Sequence, residues 1–235
     1  GAIEDVRVSS RTLEPTVKVI GDVPPLGICG SGLISAVAEM LVTGVISRGG
    51  KIDVELVRSR QPERPRVRTG DAGPEFVLVW AEESGGGTDI ALSEVDLENL
   101  IRVKAAIYAG IVVLAQKSGI PLEAVEQVLI GGAFGQHINV ESAIHIGLLP
   151  DLPWERFKFL GNTSLAGAVQ VLTSKYARAQ AEDIARRMTY LELIADNTFM
   201  DELTAAMFLP HTDTSRFPSV QAALEKSAAP RGTPQ

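Results

Sequence analysis

One stretch of the chain, Val128–Gly135, places a short apolar run directly before a glycine-rich turn. Residues 128–130 are apolar and mostly β-branched, which predicts a strand buried in a sheet. Residues 131–135 then read Gly-Gly-Ala-Phe-Gly. Because glycine has no Cβ, a ligand can approach the main-chain N–H groups of such a turn closely. We therefore predict an α/β fold with a ligand site at the carboxyl end of this strand.

Two further glycine-rich turns occur, at residues 27–32 and 160–164, and each precedes a predicted helix. The unpaired N–H groups and the dipole at a helix amino terminus favour anions. In the first of these turns, Gly30 and Gly32 would present N–H groups to a phosphate. Ser31 would cap the helix or contact the phosphate with its hydroxyl. With the turn at 131–135, these segments predict a cradle for a nucleotide.

The other two turns have predicted roles in the same cradle. An adenine or ribose would lie against the backbone of Gly131–Gly132, with Phe134 as a wall of the pocket. Asn162 and residues 163–164 would contact the ligand or only cap a helix. In the alternative interpretation, every turn is a tight connection within an α/β domain, because glycine and capping residues mark turns in general. The sequence contains neither a complete dinucleotide-binding fingerprint nor a P-loop.

Composition and charge exclude several classes of function. Of the 235 residues, 45% are hydrophobic and 22% are charged, as in an ordinary globular domain. The net charge of −7 argues against a nucleic-acid binder and against attachment to an anionic membrane. No apolar run approaches the ~20 residues that cross a bilayer. With Cys29 as its one cysteine, the chain can form neither an internal disulfide nor a cysteine-ligated cluster, and we expect a cytoplasmic protein.

Two single residues suggest chemistry but also have simpler explanations. Lys104 interrupts the apolar stripe of a long predicted helix, so its ammonium group must snorkel, pair, or face a polar cavity. Facing a cavity, it would contact ribose hydroxyls or phosphates. Cys29 stands before a predicted helix, which would lower its thiol pKa, but a small packing cysteine is the favoured interpretation. The three histidines have no metal-ligand spacing, and we predict no metal ligands.

The first part of the chain predicts short strands, a helix and a β-rich segment. Strands are expected at Val6–Val8 and Val17–Ile20, followed by a helix with one apolar face that ends at Gly44. Residues 50–92 alternate polar and apolar side chains between prolines and glycines, which predicts a β-ribbon or small sheet. The basic run Arg58–Arg68 would lie at its exposed tip.

The second part predicts a long helix from a capping residue, Ser93, to Gly119. Asn139 would cap a short helix. Phe157–Leu160 would form a second strand, and a helix would then run to about Met188, with or without a break.

The last segments complete the predicted domain and add a tail. A final strand is expected at Tyr190–Ile194 and a short amphipathic helix at Phe199–Phe208. Residues 210–235 hold four prolines among small polar residues, which is typical of a flexible tail. We therefore expect a domain over 1–209 and a tail over 210–235.

Five segments occur in an order and spacing that match a known pattern. They are Gly27–Ile34, Arg102–Ile111, Ile130–Gly135, Ile146–Pro150 and Gly161–Asn162. In these segments the chain resembles the carboxy-terminal domain of the reductive activators of corrinoid proteins. The resemblance covers residues 1–208, and the segments are specific as a group rather than singly.

The resemblance implies an actin-like ATPase (ribonuclease-H-like) fold, a mixed sheet flanked by helices, of which this chain would be only the carboxy-terminal part. Members of the family use ATP, with Mg²⁺, to drive an electron onto a corrinoid cobalt, from cob(II)alamin to cob(I)alamin, in a methyltransferase partner. Their electron comes from a [2Fe-2S] domain, which this chain does not carry. We therefore expect an ATPase that depends on a longer protein, a corrinoid protein as partner, and a homodimer.

By motif, Gly131–Ala133 would match the adenosine turn of the family, and Gly30–Gly32 a turn on the phosphate side. The role of Lys104 follows from its position and not from the resemblance. No catalytic residue is assigned. The candidate nucleotide-binding residues are Gly30, Ser31, Gly32, Lys104, Gly131, Gly132, Ala133, Phe134, Gly135, Gly161 and Asn162.

Two other functions stay open at this point. A sugar or acyl kinase of the same fold would need an acidic catalytic base in the cleft, and the sequence singles out none. A docking or dimerisation domain would need no chemistry, and its glycine turns would be structural.

Overall fold

Strands and helices are mixed along the chain, as expected for an α/β fold. The structure is a computed structural model that describes residues 1–132, 137–193 and 197–228. Its strands are β1 (Ala2–Val8), β2 (Pro15–Val19), β3 (Gly27–Ile28), β4 (Val67–Gly70), β5 (Gly73–Val79), β6 (Ile90–Ser93), β7 (Val128–Gly131) and β8 (Phe157–Gly161). Its helices are α1 (Gly30–Val42), α2 (Val54–Arg60), α3 (Glu94–Lys117), α4 (Val140–His145), α5 (Thr163–Thr173), α6 (Lys175–Arg187), α7 (Asn197–Ala205) and α8 (Pro218–Ala228).

The strands form three small sheets. In the first sheet, β1 lies between an antiparallel β2 and a parallel β3. The second sheet is an antiparallel arrangement of β4, β5 and β6. The third is a parallel pair, β7 and β8. Among the described residues, no helix is both long and apolar enough to span a membrane.

Helix α1 packs directly against β1. The main-chain N–H of Val6 donates to the Ser35 hydroxyl at 2.9 Å, and that of Val8 donates to the Glu39 carboxylate at 2.9 Å. A Cβ atom at Gly32 would lie 2.2 Å from the main-chain oxygen of Ile3. The glycine at this position is therefore required by the close approach of the helix to the strand.

Helix α3 begins and ends where the sequence predicts. Ser93 and Asp96 form a capping box at its start, in which each side chain accepts a hydrogen bond from the other residue's main-chain N–H. Gly119 follows its end with a φ of +67°. The predicted stripe is buried at Leu97, Ile101 and Tyr108 and half-buried further along.

Two hydrophobic clusters hold these elements together. The larger one lies between α1, the first two sheets and the start of α3, and includes Ile3 and Met40. The smaller one joins the middle of α3 to β8 and to the end of the chain, and includes Tyr108, Phe157 and Phe217.

The β-rich prediction for residues 50–92 is correct only in part. The second sheet forms there, but Val54–Arg60 is a helix, because the Asp53 carboxylate accepts the main-chain N–H of Leu56 at 2.8 Å and caps it. The basic run does not lie wholly at an exposed tip. Arg66 is buried, donates to the carbonyl of Leu78 and forms an ion pair with Glu14.

The carboxy-terminal segments agree with expectation only in part. The helix predicted to reach about Met188, with or without a break, forms with a break at Ser174, as α5 and α6. Residues 190–193 are not in a strand. Residues 210–228 are packed on the domain rather than loose, because Phe217 and Val220 enter the smaller cluster. Residues 229–235 of the expected tail lie outside the described residues.

Two helical glycines give opposite expectations for stability. At Gly32→Ala, the methyl group would meet the Ile3 carbonyl, and overpacking of this kind costs about 1–3 kcal/mol. At Gly167→Ala, nothing lies within 4 Å of the new methyl, and alanine stabilises a helix interior by about 1 kcal/mol relative to glycine. Urea unfolding followed by circular dichroism measures both. Stabilisation by Gly32→Ala would contradict the packing of α1 on β1.

Candidate functional site

The second and third glycine turns lie side by side at the carboxyl ends of β7 and β8. Because the two strands are parallel, both end at the same edge, and Gly131 is paired with Gly161. The main-chain N–H of Gly132 donates to the oxygen of Gly161 at 2.7 Å. A Cβ atom at Gly131 would lie 2.7 Å from the Thr163 hydroxyl, so the two turns touch.

The first glycine turn reaches the segment that follows β7. Ser31 shares a depression of about 290 Å³ with His137 and Asn139, and the other lining residues come from β1, β2 and residue 138. Cys29 precedes the first residue of α1 and provides no side-chain cap. The first turn of α1 therefore starts with main-chain N–H groups that no capping side chain occupies. The Ser31 hydroxyl is buried and lies 3.2 Å from the Cys29 sulfur.

The arrangement around Gly132 fits a flat or anionic ligand. This residue has a φ of +103°, and no atom of the described residues lies within 4 Å of the position where a Cβ would be. The space in front of its backbone is therefore open. The depression that Ser31 lines is acidic on one side. The charge of Glu4 on that side is balanced by Lys18, whose ammonium group lies 2.8 Å from the Glu4 carboxylate.

The predicted roles of the remaining turn residues are met by the structure in one case and lie outside the described residues in the others. Asn162 caps α5, because its side-chain oxygen accepts the main-chain N–H of Leu165 at 3.0 Å. The capping alternative therefore holds for Asn162, whose side chain is otherwise exposed. Ala133, Phe134 and Gly135 lie outside the described residues.

Lys104 is not at this site. It is fully buried in α3, and its ammonium group donates to the main-chain oxygens of Phe208 at 2.6 Å and Pro210 at 2.7 Å. Burial, and next the charge of Arg48, lower its pKa to about 7. Of the three options for a lysine on an apolar stripe, pairing is the one adopted. The predicted contact of Lys104 with ribose or phosphate is corrected to a structural role.

Two of the histidines and the cysteine fit structural roles. Burial lowers the pKa of His145 and of His211, so both favour the neutral form. The Cys29 thiol donates to the main-chain oxygen of Ile3 at 3.2 Å, which suits a packing cysteine. Within the described ranges, no group of three or more histidine, cysteine, aspartate or glutamate residues could hold a metal ion.

A larger cavity, about 480 Å³, lies away from the glycine turns beneath the second half of α3. Its walls include Tyr108, Leu122, Leu152 and Arg216. The Arg216 guanidinium donates to both oxygens of Glu202, at 2.8 and 3.2 Å, so its charge is already balanced. No sequence pattern singled out this cavity, because its walls come from distant segments of the chain.

The fold defines an α/β protein with two glycine turns paired at one sheet edge, and the comparison with known families identifies its class. A family described as the C-terminal domain of RACo, the ASKHA domain, matches residues 1–221. The chain belongs to this family. The predicted resemblance and the actin-like ATPase class of the fold are thereby confirmed.

Three relatives have names that concern corrinoid proteins. Corrinoid activation enzyme RamQ of Eubacterium limosum is 33% identical over 202 residues, which is 86% of this chain and 34% of the relative. The [Co(II) methylated amine-specific corrinoid protein] reductase of Methanosarcina barkeri is 28% identical over 176 residues, 74% of this chain and 27% of the relative. A solved structure of a reductive activator for corrinoid, iron-sulfur protein is 49% identical with a TM-score of 0.86, covering 94% of this chain and 34% of that one.

The buried lysine generates a prediction for stability. Lys104→Met removes the donor from one buried main-chain oxygen, that of Pro210, and from one partly buried oxygen, that of Phe208, which costs about 1–3 kcal/mol in the free energy of unfolding. Lys175→Met, at an exposed position that begins α6, is the control and changes it little. Chemical unfolding of both variants measures the difference. An unchanged free energy of unfolding in Lys104→Met would contradict the structural role.

The same comparison has an expected pH dependence. Lys104 titrates at about 7 when folded and near its ordinary 10.5 when unfolded. Between these values the unfolded chain binds more protons, so the free energy of unfolding rises with pH. The slope is at most ~1.4 kcal/mol per pH unit. The loss caused by Lys104→Met is therefore larger at pH 9 than at pH 7, and an equal loss would mean that Lys104 stays charged.

Proposed function

We propose that this chain is the nucleotide-binding part of a protein that uses ATP to reactivate a corrinoid protein by reduction. The observation that carries the proposal is the contact between the turns at Gly131–Gly132 and Gly161, in a chain of the ASKHA family. The names of the three relatives support the same activity. The chain spans about a third of the length of these relatives, so the activity belongs to the longer protein.

The described residues support binding rather than covalent chemistry. The open backbone in front of Gly132 accommodates the adenosine part of the nucleotide. The uncapped first turn of α1, at Gly30–Gly32, directs N–H groups and a helix dipole at a phosphate. Bound ATP, with Mg²⁺, supplies the free energy for an unfavourable electron transfer to cobalt.

The partner and the assembly are part of the proposal. A cob(II)-containing corrinoid protein of a methyltransferase system would accept the electron, which an iron–sulfur domain outside this sequence would supply. Nucleotide binding would favour one arrangement of the ATPase halves, and that arrangement would differ in its affinity for the corrinoid protein. We also propose a homodimer in the cytoplasm.

Gly132 provides the test of nucleotide binding. A branched side chain in Gly132→Val would fill the open space and weaken binding of Mg·ATP by at least about tenfold, or ~1.4 kcal/mol. Gly73→Val is a matched control, because Gly73 has a φ of +108° and also has nothing within 4 Å of its Cβ position. Both variants carry similar backbone strain, but only the first lies at the site.

Calorimetric titration with Mg·ATP measures the affinities, with circular dichroism to confirm folding. Equal affinities of the two variants would remove the turn at Gly132 from the site. Absence of binding by the unaltered chain would leave the docking function as the better interpretation.

The activity itself can be tested in a chimera. The solved activator is 49% identical to this chain, so residues 1–221 can replace the matched part of that protein. We expect the chimera to convert the corrinoid protein from cob(II) to cob(I) only when ATP is present. The visible absorbance of the corrinoid follows the conversion. A folded chimera that binds ATP but does not reduce the corrinoid would contradict the proposed function.

A further inference from the structure

The cavity of about 480 Å³ beside the second half of α3 is large enough to hold a small molecule. Pockets that bind small molecules span about 300–1,000 Å³ and combine apolar walls with a few polar groups. Val112, Leu122 and Leu152 are apolar wall residues, while Tyr108 and Arg216 are polar ones. The cavity therefore has the size and the composition of a ligand site.

This cavity lies at the opposite end of the β7–β8 pair from the glycine turns. Its wall segments 119–123 and 150–152 precede β7 and β8, respectively, so they lie towards the amino ends of these parallel strands. The glycine turns lie at the carboxyl ends of the same two strands. A molecule in the cavity therefore occupies a second site and does not compete with the nucleotide.

Tyr108 supplies a hydrogen-bond donor to the cavity. It is only 1% exposed, and its ring packs against those of His211 and Phe217, with centroids 5.5 and 5.4 Å away. Burial raises the pKa of the Tyr108 phenol more than Arg216 lowers it, so the hydroxyl keeps its proton at neutral pH. A guanidinium group can only donate hydrogen bonds. The contact with Arg216 therefore leaves the hydroxyl proton free for an acceptor on a ligand.

The charges around the cavity restrict the ligand further. The Asp151 carboxylate accepts hydrogen bonds from the main-chain N–H and the hydroxyl of Ser219, each at 2.8 Å. Both donors are neutral, so the carboxylate keeps its charge and repels an anion. The charge of Arg216 is already balanced by Glu202. An ammonium group, in turn, has no lone pair that could accept the Tyr108 proton.

We propose that this cavity binds an uncharged, largely apolar ring molecule that carries one hydrogen-bond acceptor, such as a carbonyl oxygen. The acceptor receives the hydroxyl proton of Tyr108, and the ring contacts Val112, Leu122 and Leu152. Burial of the ring supplies affinity. The hydrogen bond supplies selectivity, because it forms away from bulk water. The site is separate from the nucleotide turns, and its occupation does not depend on the proposed function.

Four probes with one aromatic ring each separate these contributions. Acetophenone is neutral and carries a carbonyl, ethylbenzene has no such acceptor, benzoate is an anion and benzylammonium is a cation. Each is titrated into this chain without nucleotide, and the amide chemical shifts in NMR spectra of the nitrogen-labelled protein give the dissociation constant. We expect acetophenone to shift the amides of Leu122 and Leu152. It should bind at least about threefold more tightly than benzoate or benzylammonium.

Tyr108→Phe tests the hydrogen bond. This substitution removes the hydroxyl and keeps the ring that packs against Phe217. We expect it to weaken acetophenone binding by roughly two- to tenfold, the contribution of one hydrogen bond. Ethylbenzene has no carbonyl, so its affinity should not fall. A hydroxyl with only a structural role would change the affinities of the two probes alike.

Two alanine variants in α3 test the location. Ala115 lines the cavity, whereas Ala106 is exposed elsewhere on the same helix. Ala115→Leu places a larger side chain in the cavity and should weaken acetophenone binding by at least about tenfold. Ala106→Leu is the matched control and should leave it unchanged. Alanine and leucine are both strong helix formers, and circular dichroism checks that both variants fold.

Several results would overturn the proposal. These are absence of saturable shifts with acetophenone, equally tight binding of benzoate or benzylammonium, equal effects of Tyr108→Phe on acetophenone and ethylbenzene, and equal effects of the two alanine variants. Because no nucleotide is present, a failure here leaves the proposed ATP site untouched. Loss of ATP binding, in turn, leaves this cavity untouched.

Discussion

Two basic side chains, one buried and one partly buried, hold one turn of main chain, and both hydrophobic clusters meet at this turn. Lys104 on α3 donates to the oxygens of Phe208 and Pro210, while Arg48, which follows α1, donates to that of Leu209 at 3.0 Å. Leu209 packs into the larger cluster and Ala206 into the smaller one. Buried carbonyl groups without donors are costly. The hydrogen bonds of these two side chains therefore fix the position of α3 relative to α1 and the carboxy-terminal helices.

The candidate site is a consequence of strand direction. Because β7 and β8 run parallel, their glycine turns end at one edge and touch, although 30 positions separate Gly131 from Gly161 in the sequence. Ser31, at the amino terminus of α1, shares a depression with His137, which follows Gly132 by five positions in the sequence. Backbone groups, rather than reactive side chains, dominate the described part of this edge. Such an edge suits a nucleotide used as a source of free energy and of conformational change.

The sequence predicts those features whose causes lie within a few residues. Ser93 and Asn139 cap the helices they were expected to cap, because capping needs only the next turn. The sequence does not reveal the cap at Asp53, because the alternation of polar and apolar side chains after it favours a strand. Burial of Phe217 and the partners of Lys104 depend on segments about a hundred residues away. The residues around Phe217 are polar and include proline, and Lys104 is a single lysine on an apolar stripe. Neither pattern shows which distant segment the residue contacts.

The close contact at Gly32 has a mechanical consequence. The start of α1 rests on the main chain of Ile3 with no side chain between them to absorb a displacement. Ser35 and Glu39 fasten the next turns of the helix to the same strand. Close-packed interiors transmit strain. A displacement of the first turn of α1 is therefore transmitted to β1 and its antiparallel neighbour, so that the helix and the sheet move as one rigid unit.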